Sequence, residues 1–232
     1  MSSTRKNKKG RIILTIAASV ICILLVAVIS ALIVLHVRTA AIWNDYSSIY
    51  SDEKYKTAVY IDGVDVIKQE VSCGYAVIEM FSSWSGHDIT EESLYAEYGR
   101  VVTSTGQSFA KEMNKQFPEY TTKIHKYLKN TELIELAYDQ LSNGLPVPFE
   151  WAAMYEGEWT LHYSLVTGID IPNDKIVVAN PYGYIEEISV DEFLGRTSFE
   201  AYEKMPLFLK LGFAFGVFEK NAVFSVELKS YD

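Results

Sequence analysis

Cysteine is nearly absent from this chain of 232 residues, which holds only Cys22 and Cys73. Cys22 lies inside a long apolar run, so the rest of the chain has one thiol and cannot close a disulfide on itself. The motifs H-E-x-x-H, C-x-x-C and G-x-S-x-G are missing too, which removes the usual markers of zinc and serine hydrolases. No G-x-x-x-x-G-K-[ST] loop occurs, so no ATP-binding cassette is expected. Neither a metal nor a cofactor is called for. Basic residues are scarce after residue 43, with 15 against 30 acidic ones. A segment that acidic repels phosphates, which argues against nucleic acid as a partner. Residues 1–43 show the opposite lack, with six basic residues and no acidic one.

Charge is also missing from Ile12 to Leu35, a run of 24 residues whose polar members are Thr15, Ser19 and Ser30. As a helix this run would be about 36 Å long, enough to cross a hydrocarbon core of about 30 Å. Five basic residues precede it, and only Arg38 follows closely. The positive-inside rule then places the N-terminus in the cytoplasm and the remainder outside. A cleaved signal peptide is the alternative, because Thr39-Ala40-Ala41 resembles a small-residue cleavage site, but the apolar run exceeds a signal sequence's core. Trp43 and Tyr46 would suit the outer interface. The expected organisation is a basic cytoplasmic tail (1–11), a transmembrane helix in contact with membrane lipid (12–37), a tyrosine-rich stalk (38–58) and one extracellular domain (59–232). The hydrophobic content of 49% is enough for that domain to bury a sizeable core.

Within the domain, Tyr60–Val66 alternates and contains Asp62-Gly63, the pattern of a short strand or tight hairpin. Apolar residues at Ala76, Val77, Met80, Phe81 and Trp84 follow helical spacing after Cys73, and Gly86 stops them. Thr90 is the expected N-cap of a second helix, with Glu91 and Glu92 in its first turn. A third helix spans about Ser108 to Phe117. A fourth, Glu132 to Leu141, is opened by Thr131 and closed by Asn143-Gly144. Strands follow at 146–152, 160–169 and 175–179, with a turn at Pro172-Asn173-Asp174 and a further strand at 184–188. A short helical turn is expected at 191–195, and 213–218 with 222–228 reads as a closing hairpin. Helices first and an antiparallel sheet after make an α+β fold.

The chemistry centres on Cys73, where a loop ends and an apolar helix begins. The free N–H groups and positive end of that helix favour a thiolate, and a buried structural cysteine is the alternative. A thiol nucleophile needs an imidazole to hold its proton. His87 lies in a turn and His125 between lysines, whereas His162 opens an apolar strand; a satisfied core histidine is its plainer role. Asn180, held extended by Pro181, could orient the imidazole. Gln69 could donate to an oxyanion beside the Cys73 backbone N–H. Contact between His162 and Asn180 sets a condition. A turn centred on Asn173 would pair Asn180 near Val166 and leave His162 about 13 Å along the ladder. The contact therefore requires a register centred near Ile171, or a bulge, for which Gly168 is a candidate.

The ordered set Q-E-V-S-C-G-Y-A, W-T-L-H-Y-S-L-V-T-G-I-D and V-V-A-N-P-Y-G-Y, followed by I-S-V-D-E-F, resembles the double-glycine leader peptidase-like branch of the papain superfamily. The resemblance spans about Val66 to Leu194 and implies a papain-like fold, with Cys73 as nucleophile, His162 as base, Asn180 as orienting residue and Gln69 as oxyanion donor. It also implies a cysteine peptidase acting on a peptide or protein. The chain departs from the family at Tyr75, where proline or a small residue is common, and at Asn180, where aspartate is common. Those departures keep open a catalytically inactive cell-surface binding module. Transglutaminase-like or cell-wall amidase chemistry on the same fold is a third reading, and the oligomeric state is not legible.

Overall fold

With no charge and no helix breaker from Ile12 to Leu35, the N-terminal run continues as one helix, α1 (Ser3–Thr39). The structure is a computed structural model that describes residues 3–40, 42 and 44–230. Trp43, expected at a membrane interface, lies outside these residues. Among the described residues, one helix is long and apolar enough to cross a membrane: the Leu14–Thr39 part of α1, with mean hydropathy 3.1 and nothing buried. It is a unit apart from the folded unit that begins at Ala41.

Residues 44–58, expected as a stalk, are packed rather than free. They form two short 3-10 turns, Ser47–Tyr50 and Glu53–Tyr55. Ile49 and Tyr55 are buried, so these apolar side chains make the segment part of the core. Polar contacts fasten it further. Asn44 Oδ1 accepts from the Asn130 backbone N–H at 2.8 Å, and Tyr138 donates to the Thr57 carbonyl at 2.9 Å.

The folded unit then runs β1 (Val59–Tyr60), α2 (Cys73–Ser85), α3 (Glu91–Tyr98), α4 (Gly106–Gln116), β2 (Tyr120–His125), α5 (Asn130–Ser142), β3 (Val147–Tyr155), β4 (Glu158–Asp170), β5 (Lys175–Asn180), β6 (Tyr184–Ile188), α6 (Val190–Thr197), α7 (Leu207–Phe215) and β7 (Val223–Leu228). The strands form one antiparallel sheet in the order β2-β7-β3-β4-β5-β6, with β1 also on β4. Alternation sorts its side chains. Tyr163, Leu165, Ala179, Phe224 and Val226 pack with α2, α3 and α4. Phe149, Trp151, Val166, Val178 and Val223 pack with α5 and α6 on the other face.

Several expectations needed correction. The segment 90–141, read as mainly helical, also contains β2, whose partner β7 lies about a hundred residues away. The stretch 213–218, read as half of a hairpin, instead completes and follows α7. The strand expected over 60–66 shrinks to β1, and the N-cap of α5 is Lys129 rather than Thr131.

The β4–β5 register holds the feature that matters most. Ile169 pairs with Ile176 and Gly168 with Val177, but Val166 pairs with Val178 and Leu165 with Ala179. Thr167 is the extra residue of a bulge. Continuing that register sets Asn180 opposite Ser164, on the face of His162 two residues away. Without the bulge it would stand opposite Leu165, whose side chain serves the other face.

Helix α2 starts where the sequence predicts. Ser72 Oγ accepts from the Tyr75 N–H at 3.2 Å, and Gly86 closes the helix in the left-handed conformation. Gly74 is required by contact: a Cβ there would lie 2.3 Å from Thr103 Oγ1 and 2.7 Å from Thr103 Cβ. We expect Gly74→Ala to lower stability by about 1–3 kcal/mol in urea denaturation, and Thr103→Gly to restore much of it. A double variant no more stable than Gly74→Ala would show that the strain lies elsewhere.

Candidate active site

Cys73 is the first residue of α2 and is half-buried. The loop before it is held by one carboxylate. Glu91 accepts from the backbone N–H groups of Glu70 at 2.7 Å, Val71 at 3.4 Å and Ser72 at 3.0 Å. Glu91 is itself nearly inaccessible, and its own N–H donates to Glu79 at 2.7 Å. The approach of the chain to Cys73 is therefore set by α3, which the sequence had assigned only a dipole role for Glu91.

His162 stands on β4, fully buried, and its Nε2 lies 3.0 Å from Asn180 Oδ1. The tautomer follows from the neighbours. Asn180 Oδ1 also accepts from the Tyr182 N–H at 2.9 Å, and Asn180 Nδ2 donates to Glu186 at 2.8 Å, so the amide is fixed with oxygen toward the ring. Nε2 must then carry the proton, and Nδ1 is left with a lone pair. Tyr182 stacks on the imidazole with centroids 4.1 Å apart. Glu186 in turn accepts from Arg196 at 2.5 Å, and the guanidinium lies 3.4 Å over the ring of Trp151, the residue opposite His162 in the sheet.

Two backbone contacts link Cys73 and Gln69 to the neighbours of His162 and Asn180. The N–H of Tyr163, next to His162, faces the Cys73 sulfur. The Gln69 N–H donates to the carbonyl of Pro181, next to Asn180, at 2.8 Å. Gln69 Oε1 is buried with no hydrogen-bond partner among the described residues. The other two histidines of the folded unit are engaged elsewhere, His87 with Glu119 at 3.0 Å and His125 with Ser225 at 2.8 Å.

The sequence profile of the Peptidase C39-like family matches residues 61–206, more than half of the chain. The chain belongs to the Peptidase C39-like family. Two solved structures are similar to it. One is a double glycine motif protease from an AMS/PCAT transporter in complex with the leader peptide, 14% identical, covering 75% of this chain and 99% of that one with a TM-score of 0.46. The other is the peptidase domain of Streptococcus ComA, a bi-functional ABC transporter involved in a quorum sensing pathway, 14% identical, covering 72% and 99% with a TM-score of 0.47. No curated protein sequence matches the chain.

In this C39-like chain the resting charge differs from the expected thiolate. Burial pushes the Cys73 thiol up to about 11, although the backbone N–H groups of Tyr163, Gly74 and Cys73 itself pull the other way. Burial also pulls His162 down to about 4, against the support of Asn180 and with Arg196 adding to the fall. Desolvation outweighs the helix terminus, so the two groups rest as neutral thiol and neutral imidazole near pH 7. A neutral His162 keeps a lone pair on Nδ1, which can accept a proton.

Behind Cys73 lies a residue that the sequence reading passed over. Glu150 is fully buried opposite Tyr163, and neither carboxylate oxygen makes a hydrogen bond of good geometry among the described residues. Burial pushes it up to about 8; the Glu219 carboxylate adds to this, while the Tyr163 hydroxyl and Lys126 oppose it. The signal was a lone acid inside the apolar run V-P-F-E-W-A. Tyr182 carried a signal as well, as the aromatic two residues after Asn180. Glu186 and Arg196 gave none, since only the fold joins them.

Two outcomes follow. Tyr182→Ala admits water to the imidazole, so the His162 ring should titrate nearer 6.5 than 4 by NMR; an unmoved titration would exclude shielding by Tyr182. For Glu150 the folded state keeps a proton that the unfolded chain releases, so stability falls as pH rises toward about 8 and levels above it. His162, with a lowered value, loses stability only as pH falls from about 6.5 toward 4, and Lys220, lowered to about 8 by burial, adds stability only as pH rises through about 8, so the span from 6.5 to below 8 reports mainly Glu150. In urea denaturation we expect a negative slope there of up to about 1.4 kcal/mol per pH unit, abolished by Glu150→Gln. An unchanged slope in the variant would exclude Glu150 as its source.

Proposed function

We propose that this chain is a membrane-anchored cysteine peptidase whose folded unit lies outside the cell and acts on peptide or protein substrates. Residues 1–11 form the cytoplasmic basic tail, 12–37 the anchor, 38–58 the stalk and 59–232 the peptidase domain. The observation that carries the catalytic reading is the His162–Asn180 hydrogen bond, which protonates Nε2 and leaves Nδ1 with a lone pair. The uncharged span with five basic residues before it supports the topology.

In this reading the Cys73 sulfur attacks the substrate carbonyl as its proton passes to His162 Nδ1. The oxyanion is met by the Cys73 backbone N–H and the Gln69 side-chain amide. Collapse breaks the C–N bond, the imidazolium gives its proton to the leaving amine, and a thioester remains. Water, deprotonated by the same imidazole, releases the acid and regenerates the thiol. Asn180 holds the ring in the required tautomer, and Glu186 holds Asn180.

We expect the full chain in detergent to cleave members of a peptide library, Cys73→Ala to cleave none, and His162→Ala to lose about 10²–10⁴ in rate. The departures at Tyr75 and Asn180 support a second reading, a binding module without turnover. Absence of wild-type cleavage, together with equal alkylation of Cys73 in wild type and His162→Ala, would decide for the module.

A further inference from the structure

Helix α7, L-F-L-K-L-G-F-A-F, is apolar on both sides. Leu209 and Phe213 are buried with Phe199 and Met205, which is enough to hold the helix on its domain. At 100° per residue, Leu207, Leu211, Phe215 and Phe208 share a different arc about 100° wide. These four are 71%, 47%, 73% and 67% exposed, and Val217, just past the helix, is 47% exposed. No charged residue of the helix falls in that arc. Lys210 flanks it, tied back to Glu203 at 3.3 Å. A contiguous face of leucine and phenylalanine left in water marks an interaction surface.

We propose that this face of α7 docks on the surface of the bilayer that α1 spans, an inference that rests on the reading of residues 12–37 as a membrane anchor. The first argument is the tether. The Asn44 side chain is already bound to the folded unit, through the Asn130 N–H, four residues past Ala40. Four residues reach at most about 14 Å, so a bilayer is always close to the folded unit, at an effective concentration no free partner matches. The second is chemistry. Leucine and phenylalanine along one side of a helix suit the boundary between headgroups and acyl chains. Docking in this way would fix the orientation of the Cys73 site to the membrane and favour substrates that are themselves lipid-associated.

The test uses the full chain in phosphatidylcholine vesicles carrying one environment-sensitive fluorophore. It is placed either on Cys22, in Cys73→Ala, or at position 211, in Leu211→Cys with Cys22→Ser and Cys73→Ala. Quenching by nitroxide-labelled lipid is read at each. We expect both probes to be quenched several-fold, the second with an emission shift to the blue. Quenching at Cys22 without quenching at position 211 overturns the docking and leaves the anchor intact. Quenching at position 211 alone shows lipid contact at α7 but removes the anchor, and with it docking on a bilayer that α1 spans, and quenching at neither overturns both. A blue shift at position 211 that grows with protein concentration and resists lipid quencher overturns the bilayer in favour of a second copy of the chain.

Discussion

Side chains alternate across a strand, so whether Asn180 can meet His162 depends on the register of β5 against β4, and that register turns on one extra residue, Thr167. The bulge lets a central strand present an imidazole to one face while its neighbour brings an amide to the same face from the far side of a turn. Backbone contacts then add the other parts of the site. Pro181 holds Gln69, and Tyr163 faces Cys73, each beside one member of the bonded pair. Shifting that register by one residue would dismantle the His162–Asn180 contact even if every element kept its length.

Below the imidazole, polarity is handled by pairing. Asn180 leans on Glu186, Glu186 on Arg196, and the guanidinium lies on Trp151 while donating to the Ala152 carbonyl at 2.9 Å. Each group satisfies the next, which is how charged side chains mostly removed from water are tolerated. Glu150 breaks the pattern. It sits behind Cys73 with unsatisfied oxygens and stays neutral instead of paired. Glu150 and Glu186, on opposite faces of the sheet, thus represent opposite solutions for a carboxyl group removed from water.

Local features were legible in the sequence. Ser72, Thr90 and Gly86 marked helix ends because capping is chemistry within a few residues, and the Pro172-Asn173-Asp174 turn with its flanking strands followed from short-range pattern. The possibility of a bulge near Gly168 could be stated, but choosing it needed the paired strands. Long-range features were not legible. Tyr120–His125 becomes a strand because β7 offers it an edge, and no local signal announces that partner. An all-apolar run such as Leu207–Phe215 has no periodicity to separate helix from strand. The packing of residues 44–58 rests on Asn130, Tyr138 and Asp191, all remote in sequence. Cys73, His162 and Asn180 stood out as residue types in suggestive places, whereas Glu91, Glu186 and Arg196 act only through contacts that the fold creates.

The neutral state of Cys73 bears on how long the thiol survives. Oxidants and stray disulfides react with thiolate, and a thiol near 11 is ionised about one part in ten thousand at pH 7. A half-buried sulfur kept protonated is therefore slow to reach sulfenic acid or a mixed disulfide, although no second cysteine in the folded unit could resolve either product. Chemical durability at rest thus follows from burial, and the sulfur becomes open to damage only when its proton is taken.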